Sequence, residues 1–579
     1  MMKLILTICL LTLARAWPGS AVAQAAQTTV AVPEGYPTSA FVTGAGKIVY
    51  KDYPARKKVR TISAPGVLTD NDTEYRLSQD IVSSGTAFVI KASRVTLNLN
   101  GYKIRYLHEG EHKDAYGVHI PGYNWTDIAV VNGSIAQGEG MCIGSAGGIG
   151  CNPVYSYDAK HVLIAGLDIV YRTDETAGIV LHWNSDAEIC YNTVNDQGNV
   201  VNNRHQGVAA IEANRGGRNA RQKIHHNLIR GARHVGIRSG TESDVYHNEI
   251  YGESVVTNSA ALAASGGTVH DNKVFGQGVH PIGVWPGNNI KVHGNFVQIQ
   301  NTARGTEYGD TGSACLRMTW GNNDVEVYGN TFILNAEENF DNTGIRSWGR
   351  AIWVGLTSPA QKAVFHDNFI SARSRDGKAK AAAIAVVCNN VSPRLEFRNN
   401  IISSNWGNVL LADNYGHGGG YPRFIDNVFV GDTQTDSYRT IRSQRHEVPS
   451  TGVFIGNSYV DGASRESVDL EFNGSGVKDI SFGWHLNLKI SERGTGAAIR
   501  DAHVRITDAQ GTTVFEGNSD VKGLIAADLL EYTLSNAARK QTGGQKNLST
   551  PHVVVAEIGD RKVSRTVRME SNINLEIEL

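Results

Sequence analysis

A short phrase recurs along this chain: an aliphatic or aromatic residue, two variable positions, Asn, one variable residue, then another apolar residue. It is centred on Asn192, Asn227, Asn248, Asn272, Asn295, Asn330, Asn368, Asn400, Asn427 and Asn457. Val245-Tyr246-His247-Asn248-Glu249-Ile250 and Val269-His270-Asp271-Asn272-Lys273-Val274 show it plainly. From Asn227 through Asn248 and Asn272 to Asn295 the steps are 21, 24 and 23 residues, and the longer steps run to 38. Three short strands with their turns take about 20–25 residues, so the pattern predicts one phrase per coil of a β-solenoid, the longer steps being coils with inserted loops. The Asn is expected in a left-handed turn at a buried corner, its amide stacked on those above and below.

The N-terminal part opens the same pattern in Tyr75-Arg76-Leu77-Ser78-Gln79-Asp80-Ile81 and Val95-Thr96-Leu97-Asn98-Leu99-Asn100-Gly101. With these segments the chain resembles right-handed parallel β-helix repeat proteins of the pectate lyase-like superfamily. That group includes pectate lyases, alginate lyases and epimerases, polygalacturonase-type glycosidases and non-catalytic members. The resemblance implies a fold and not one activity, because a fold hosts many sites. From about Ser481 the phrase stops and alternating strands follow, such as Leu486-Asn487-Leu488-Lys489-Ile490 and Val553-Val554-Val555-Ala556, separated by turns such as Asp508-Ala509-Gln510-Gly511. This part resembles a seven-stranded β-sandwich of the Ig-like or carboxypeptidase-regulatory type, suited to capping the solenoid or binding glycan. The expected organisation of this all-β chain is a signal peptide over 1–23, an N-terminal segment over 24–64, a parallel β-helix over 65–478 and a β-sandwich over 479–579.

Lys3, the apolar run Leu4 to Leu13 and the small-residue site Ala21-Val22-Ala23 read as a cleaved signal peptide, which predicts a secreted or periplasmic protein. The run is too short to span a bilayer, which takes ~20 apolar residues, and no later segment approaches that length. Of the cysteines left after cleavage, Cys142 and Cys151 are spaced to staple a Gly-rich loop, whereas Cys190, Cys315 and Cys388 sit in apolar runs and read as core residues. Cys and His are scattered along the chain, which argues against a zinc site. The net charge of −1 points to no partner, so any electrostatic argument is local. Between Arg204 and Arg238 lie Arg204, Arg215, Arg218, Arg221, Arg230, Arg233, Arg238 and Lys223, with Glu212 the only acid. Arg pairs bidentately with carboxylates and sulfates, so an acidic polysaccharide is the expected partner of this stretch. A solvated basic loop is the plainer reading. Nucleic acid is disfavoured by the export signal, and the oligomeric state is not legible.

Strand alternation assigns faces upstream of each phrase. Leu181, Ile211 and Ile237 are expected inward, which sends His182, Glu212 and Arg238 outward on one ladder about 4.8 Å per step. Trp285, Arg317 and Thr319 are expected outward farther along. A carboxylate between imidazole and guanidinium makes an acid/base set, and equally a surface ion-pair network. Trp285 would stack on sugar, and Arg317 with Arg215, Arg218 and Arg221 would clamp carboxylates. A lyase would use Arg238 or Ca2+ to neutralise a uronate and His182 as base. A glycoside hydrolase would pair Glu212 with Asp174 or Asp310, and a non-catalytic glycan-binding or envelope-structural protein would use the face only to bind. Neither the Asp-Pro-His-Glu signature of alginate epimerases nor an Asp-Asp pair of the polygalacturonase type is present. Lyase-type cleavage of an acidic polysaccharide is the favoured expectation.

Overall fold

The computed structural model describes residues 41–44 and 47–579 other than 123, 144–149, 173–175, 199–207, 216–220, 255–258, 279–280, 302–312, 319–322, 337–348, 357, 359, 375–379, 389–393, 412–419, 436, 444–446, 473 and 537–543. The signal-peptide residues lie outside this set. Within Met1–Asp52, Phe41–Gly44 and Lys47–Tyr50 form an antiparallel hairpin.

Tyr53–Leu579 is built on the coil that the Asn phrase predicts. Each coil carries one strand upstream of the phrase, a second ending two residues before the Asn, and a third starting just after it. The upstream strands stack into a 15-stranded sheet running from Gly66–Leu68 to Val468–Asp469, with parallel pairing as in Ala209–Arg215 on Val235–Ser239. The strands flanking the Asn form further parallel stacks, such as Lys223–His225 on Ser243–Tyr246 and Leu228–Ala232 on Glu249–Ser254. The chain is therefore an all-β parallel β-helix. Its interior is a set of ladders of like residues, because each coil presents the same position to the coil above. Ile224, Val245, Val269, Val292 and Val327 are fully buried in one of them. Its later part is aromatic: the rings of Phe365, Phe397, Phe424 and Phe454 stack at 4.8, 4.9 and 4.6 Å, the spacing of one coil.

All ten phrase asparagines form one buried column. Each backbone N–H and each Nδ2 donates to Oδ1 of the next Asn: Asn227 to Asn248 at 3.1 and 2.9 Å, and Asn272 to Asn295 at 3.0 and 2.9 Å. The chain of bonds is unbroken from Asn192 to Asn457. One expectation is corrected here. The left-handed residue is the one before the Asn, as in His226 (φ 54°), His247 (φ 52°) and Asp271 (φ 52°). That twist turns the Asn side chain inward, so the position selects Asn for its two-sided amide and not for its backbone.

Stacking begins ahead of residue 65, since Lys58–Ile62 already pairs with Thr73–Leu77. At the other end the strand Lys478–Ser491 belongs to both parts. It pairs with Ser450–Ile455 as one more coil, then with Leu524–Ser535 and Ile573–Glu578. An antiparallel four-stranded sheet, with His503–Thr507 and His552–Ile558 at its centre, closes over it. Leu486, Leu488 and Ile490 meet Val504, Ile506 and Val554 in the core between the two sheets. The junction is pinned by His485, whose ring nitrogens each stand 2.8 Å from a carboxylate, Asp426 of the solenoid and Asp528 of the sandwich.

Cys142 and Cys151 are joined by a disulfide. Cys315 lies in the solenoid core, and the Cys388 side chain is outside the described set. Among the described residues no helix is long and apolar enough to cross a membrane.

Candidate functional site

The 15-stranded sheet turns one face from the core, and that face carries most of the predicted site. In its middle strands two successive residues point inward: Ala210–Ile211, Ala261–Leu262 and Cys315–Leu316. The first of the two is small because other chain lies close. A Cβ on Gly283 would stand 2.3 Å from Val297 Cγ1 and 2.5 Å from Cys315 O. The residue after the inward pair returns outward, so Glu212, Arg238, Trp285, Arg317 and Trp353 share one row.

His182 is not on that row. Ile211 is level with Ile179 and not with Leu181, so the partner of Glu212 in the preceding strand is Val180. A bulge between Val180 and His182 then sets His182 level with Arg215. The expected three-residue ladder is corrected accordingly: Glu212 and Arg238 are neighbours, and His182 lies on the next row. Arg238 Nη1 donates to Glu212 Oε2 at 2.6 Å, and Glu212 is only 3 % exposed, against the expectation that it faces solvent. A carboxylate so enclosed and bonded serves to hold the guanidinium in place.

His182 has a setting of its own. Its Nδ1 is 3.3 Å from the Tyr155 hydroxyl, and the rings of Tyr157 and Trp183 stand edge-on at 4.9 and 5.0 Å. Tyr155 stacks in turn on Tyr116 at 5.1 Å, beside His119, whose pKa burial holds below the usual imidazole value. Trp183 has φ 58°, the left-handed conformation that recurs at the corners of the coil. The sequence reading missed Tyr155, Tyr157 and Trp183. The alternation in Val154-Tyr155-Ser156-Tyr157, one coil earlier, was the available signal.

The cationic residues are distributed differently from the expectation. Arg317 is 7 % exposed, its guanidinium packed between the Trp285 ring at 5.1 Å and the Trp353 ring at 4.3 Å. It is therefore the filling of an aromatic stack and not an exposed clamp; Trp285 is half-buried, as a platform would be. Arg221 is exposed and bonded to Asp186 through Nε at 2.9 Å. Arg230 lies on Leu228–Ala232, away from the 15-stranded sheet. The backbone of Arg215 is on the sheet, but its side chain lies outside the described residues, as do Arg204, Arg218, Asp174, Asp310 and Thr319.

One set of described residues gathers metal-ligand atoms: Glu188, Cys190 and His225, each with an atom within 4.8 Å of the others. The expectation that Cys and His are scattered is corrected by this grouping. Cys190 stands two residues before Asn192 and His225 two before Asn227, so stacking of the phrases brings them together.

No family profile matches the chain, and no curated protein matches it. Among solved structures it is similar to the tailspike protein of E. coli bacteriophage HK620 in complex with pentasaccharide, at 11% identity and TM-score 0.38 over 86% of each chain. It is also similar to the A-module of the Azotobacter vinelandii mannuronan C-5 epimerase AlgE4, at 12% identity and TM-score 0.27, over 67% of this chain and 87% of that one.

Proposed function

We propose that this chain is an exported carbohydrate-active enzyme that binds an acidic polysaccharide across the outward face of its 15-stranded sheet and cleaves it by β-elimination. The observation that carries this reading is the His182–Tyr155 pair, held in an aromatic cluster beside a row of Arg and Trp. The His182 ring takes the proton from C5 of a uronate, the C4–O4 bond breaks as the C4–C5 double bond forms, and the imidazolium returns the proton to the departing oxygen. The Tyr155 hydroxyl, on a side chain only 7 % exposed, holds the ring in place. Both groups belong to stacked strands, so no loop has to close for them to meet.

The uronate carboxylate must be neutralised for its C5 proton to leave. Ca2+ takes six to eight oxygen ligands, usually several carboxylates. The described ring contacts of His182 are aromatic, and Asp158 and Asn184, each bonded to its carbonyl oxygen, are the described carboxylate and amide beside it, fewer than that set. We therefore assign the task to Arg238, held by Glu212, with Arg215, Arg218 and Arg221. Trp285 is the sugar-stacking platform and Arg317 its support. Export rests on the Lys3 to Ala23 segment and agrees with the disulfide, which persists in an oxidising compartment. The test is kinetic. His182→Ala should lower turnover on a polyuronate by at least ~100-fold with little change in binding, the scale of acid/base removal, and Tyr155→Phe, which frees the ring, should lower it by less. Wild-type turnover in both variants overturns the assignment.

A further inference from the structure

We propose that Glu188, Cys190 and His225 bind a divalent transition-metal ion of the zinc class, which ties two successive coils together beside the Asn column. Thiolate, imidazole and carboxylate together are a borderline-soft donor set, the kind that selects zinc over calcium or magnesium. Glu188 and Cys190 flank the core residue Ile189, so both point away from the interior. The next coil places His225 level with Cys190. His225 Nε2 is 3.0 Å from Glu188 Oε1, and a ligand atom from each of the three residues lies within 4.8 Å of the other two. Tetrahedral zinc with bonds of about 2.0–2.3 Å holds its ligand atoms about 3.3–3.7 Å apart, so small side-chain rotations seat the ion.

The surroundings are those of a prepared ligand. His225 Nδ1 faces His226 Nδ1 at 2.9 Å, the kind of outer hydrogen bond that fixes the orientation of a metal-bound imidazole. Its ring is stacked at 4.7 Å on Tyr246, the first of the rings that continue this row through His270 and His293. On the other side Cys190 is level with Ala165, whose side chain is small. Cys190 is fully buried and the Glu188 side chain is 42% exposed, so an ion enters from the Glu188 side. Between the two ligand strands the chain makes the coil that holds Glu212. A bound ion therefore locks both ends of that coil.

The experiment is titration of the full chain, first stripped with chelator, with Co2+. A thiolate-to-cobalt charge-transfer band should saturate at one equivalent, and Zn2+ should displace it. Zn2+ should raise the melting midpoint of the wild type and leave that of Cys190→Ala unchanged. Glu188→Gln and His225→Ala should weaken affinity at least ~10-fold. The proposal is overturned by absence of the band at stoichiometric Co2+, or by a band that survives in Cys190→Ala. Should that variant not fold, Glu188→Gln decides, because unaltered affinity there overturns it equally.

Discussion

Replacing Asn248 with Leu tests the column that organises the solenoid. Asn248 Oδ1 is the acceptor for the Asn227 backbone N–H at 3.1 Å and for its Nδ2 at 2.9 Å. The Asn248 Nδ2 donates to Ile224 O at 2.8 Å and to Tyr246 O and Asn272 Oδ1, each at 3.0 Å. Asn227, Asn248 and Asn272 are at most 1% exposed, so water does not replace what is lost. After substitution the Asn227 Nδ2 keeps Ile189 O and His225 O, and Asn272 Oδ1 keeps the backbone N–H of residue 248. The Asn227 N–H is left with nothing. One orphaned N–H costs about 1–3 kcal/mol, and the bonds of the two Asn248 Nδ2 protons, shared among three acceptors, about 0.5–1.5 kcal/mol each, a loss of about 2–6 kcal/mol. In a solenoid this appears first as local opening, because each coil is held by its neighbours. Denaturant unfolding should show a lower midpoint, and amide exchange at Asn227 should accelerate, whereas Lys273→Ala, at an exposed site on the next coil, should do neither. Wild-type protection at Asn227 in Asn248→Leu would refute the column as a source of stability.

Glu212→Gln should destabilise the fold by about 3 kcal/mol, the lower end for breaking a buried ion pair because Arg238 keeps some solvent; an unchanged melting midpoint would mean the carboxylate is in water. Trp353→Ala should cost about 3–5 kcal/mol, since it removes a buried indole and one wall of the Arg317 stack. Burial disfavours the charged His485 ring, but the bonds and charges of Asp426 and Asp528 outweigh it and hold its pKa above 6.5. The stabilisation from this raised pKa is complete below pH 6.5 and is lost as pH rises through the raised value. Melting midpoints of wild type and His485→Gln should therefore differ most in acid and converge in alkali. Binding of an acidic glycan should weaken as salt rises, because exposed charges are screened beyond ~8–10 Å, and salt-independent affinity would remove the electrostatic part of the account.

The coil and its Asn column were legible because one phrase recurs ten times with an apolar residue at a fixed offset on each side. Registers between coils were not. Simple alternation treats Leu181 and Ile211 as equivalent, but the inward pair Ala210–Ile211 and the bulge after Val180 offset them. Burial of Glu212 and Arg317 was not legible either. It depends on what lies over an outward face, and insertions between strands carry no period. The Glu188–Cys190–His225 group, by contrast, could have been read. Cys190 and His225 hold the same place in successive phrases, and stacking turns equal place into contact.

The chemistry of the product decides whether the outward face of the sheet carries out β-elimination. Purified protein should be incubated with a panel of polyuronates and neutral glycans, and new chain ends followed both by the ultraviolet absorbance of the conjugated double bond of unsaturated uronate and by reducing-end assay. Unsaturated ends are expected from an acidic polysaccharide and from no neutral one, in equal number to the new reducing ends. Reducing ends without unsaturation would make the protein a hydrolase, and no product from any glycan, with binding retained, would make the face a binding surface; either result contradicts β-elimination at His182.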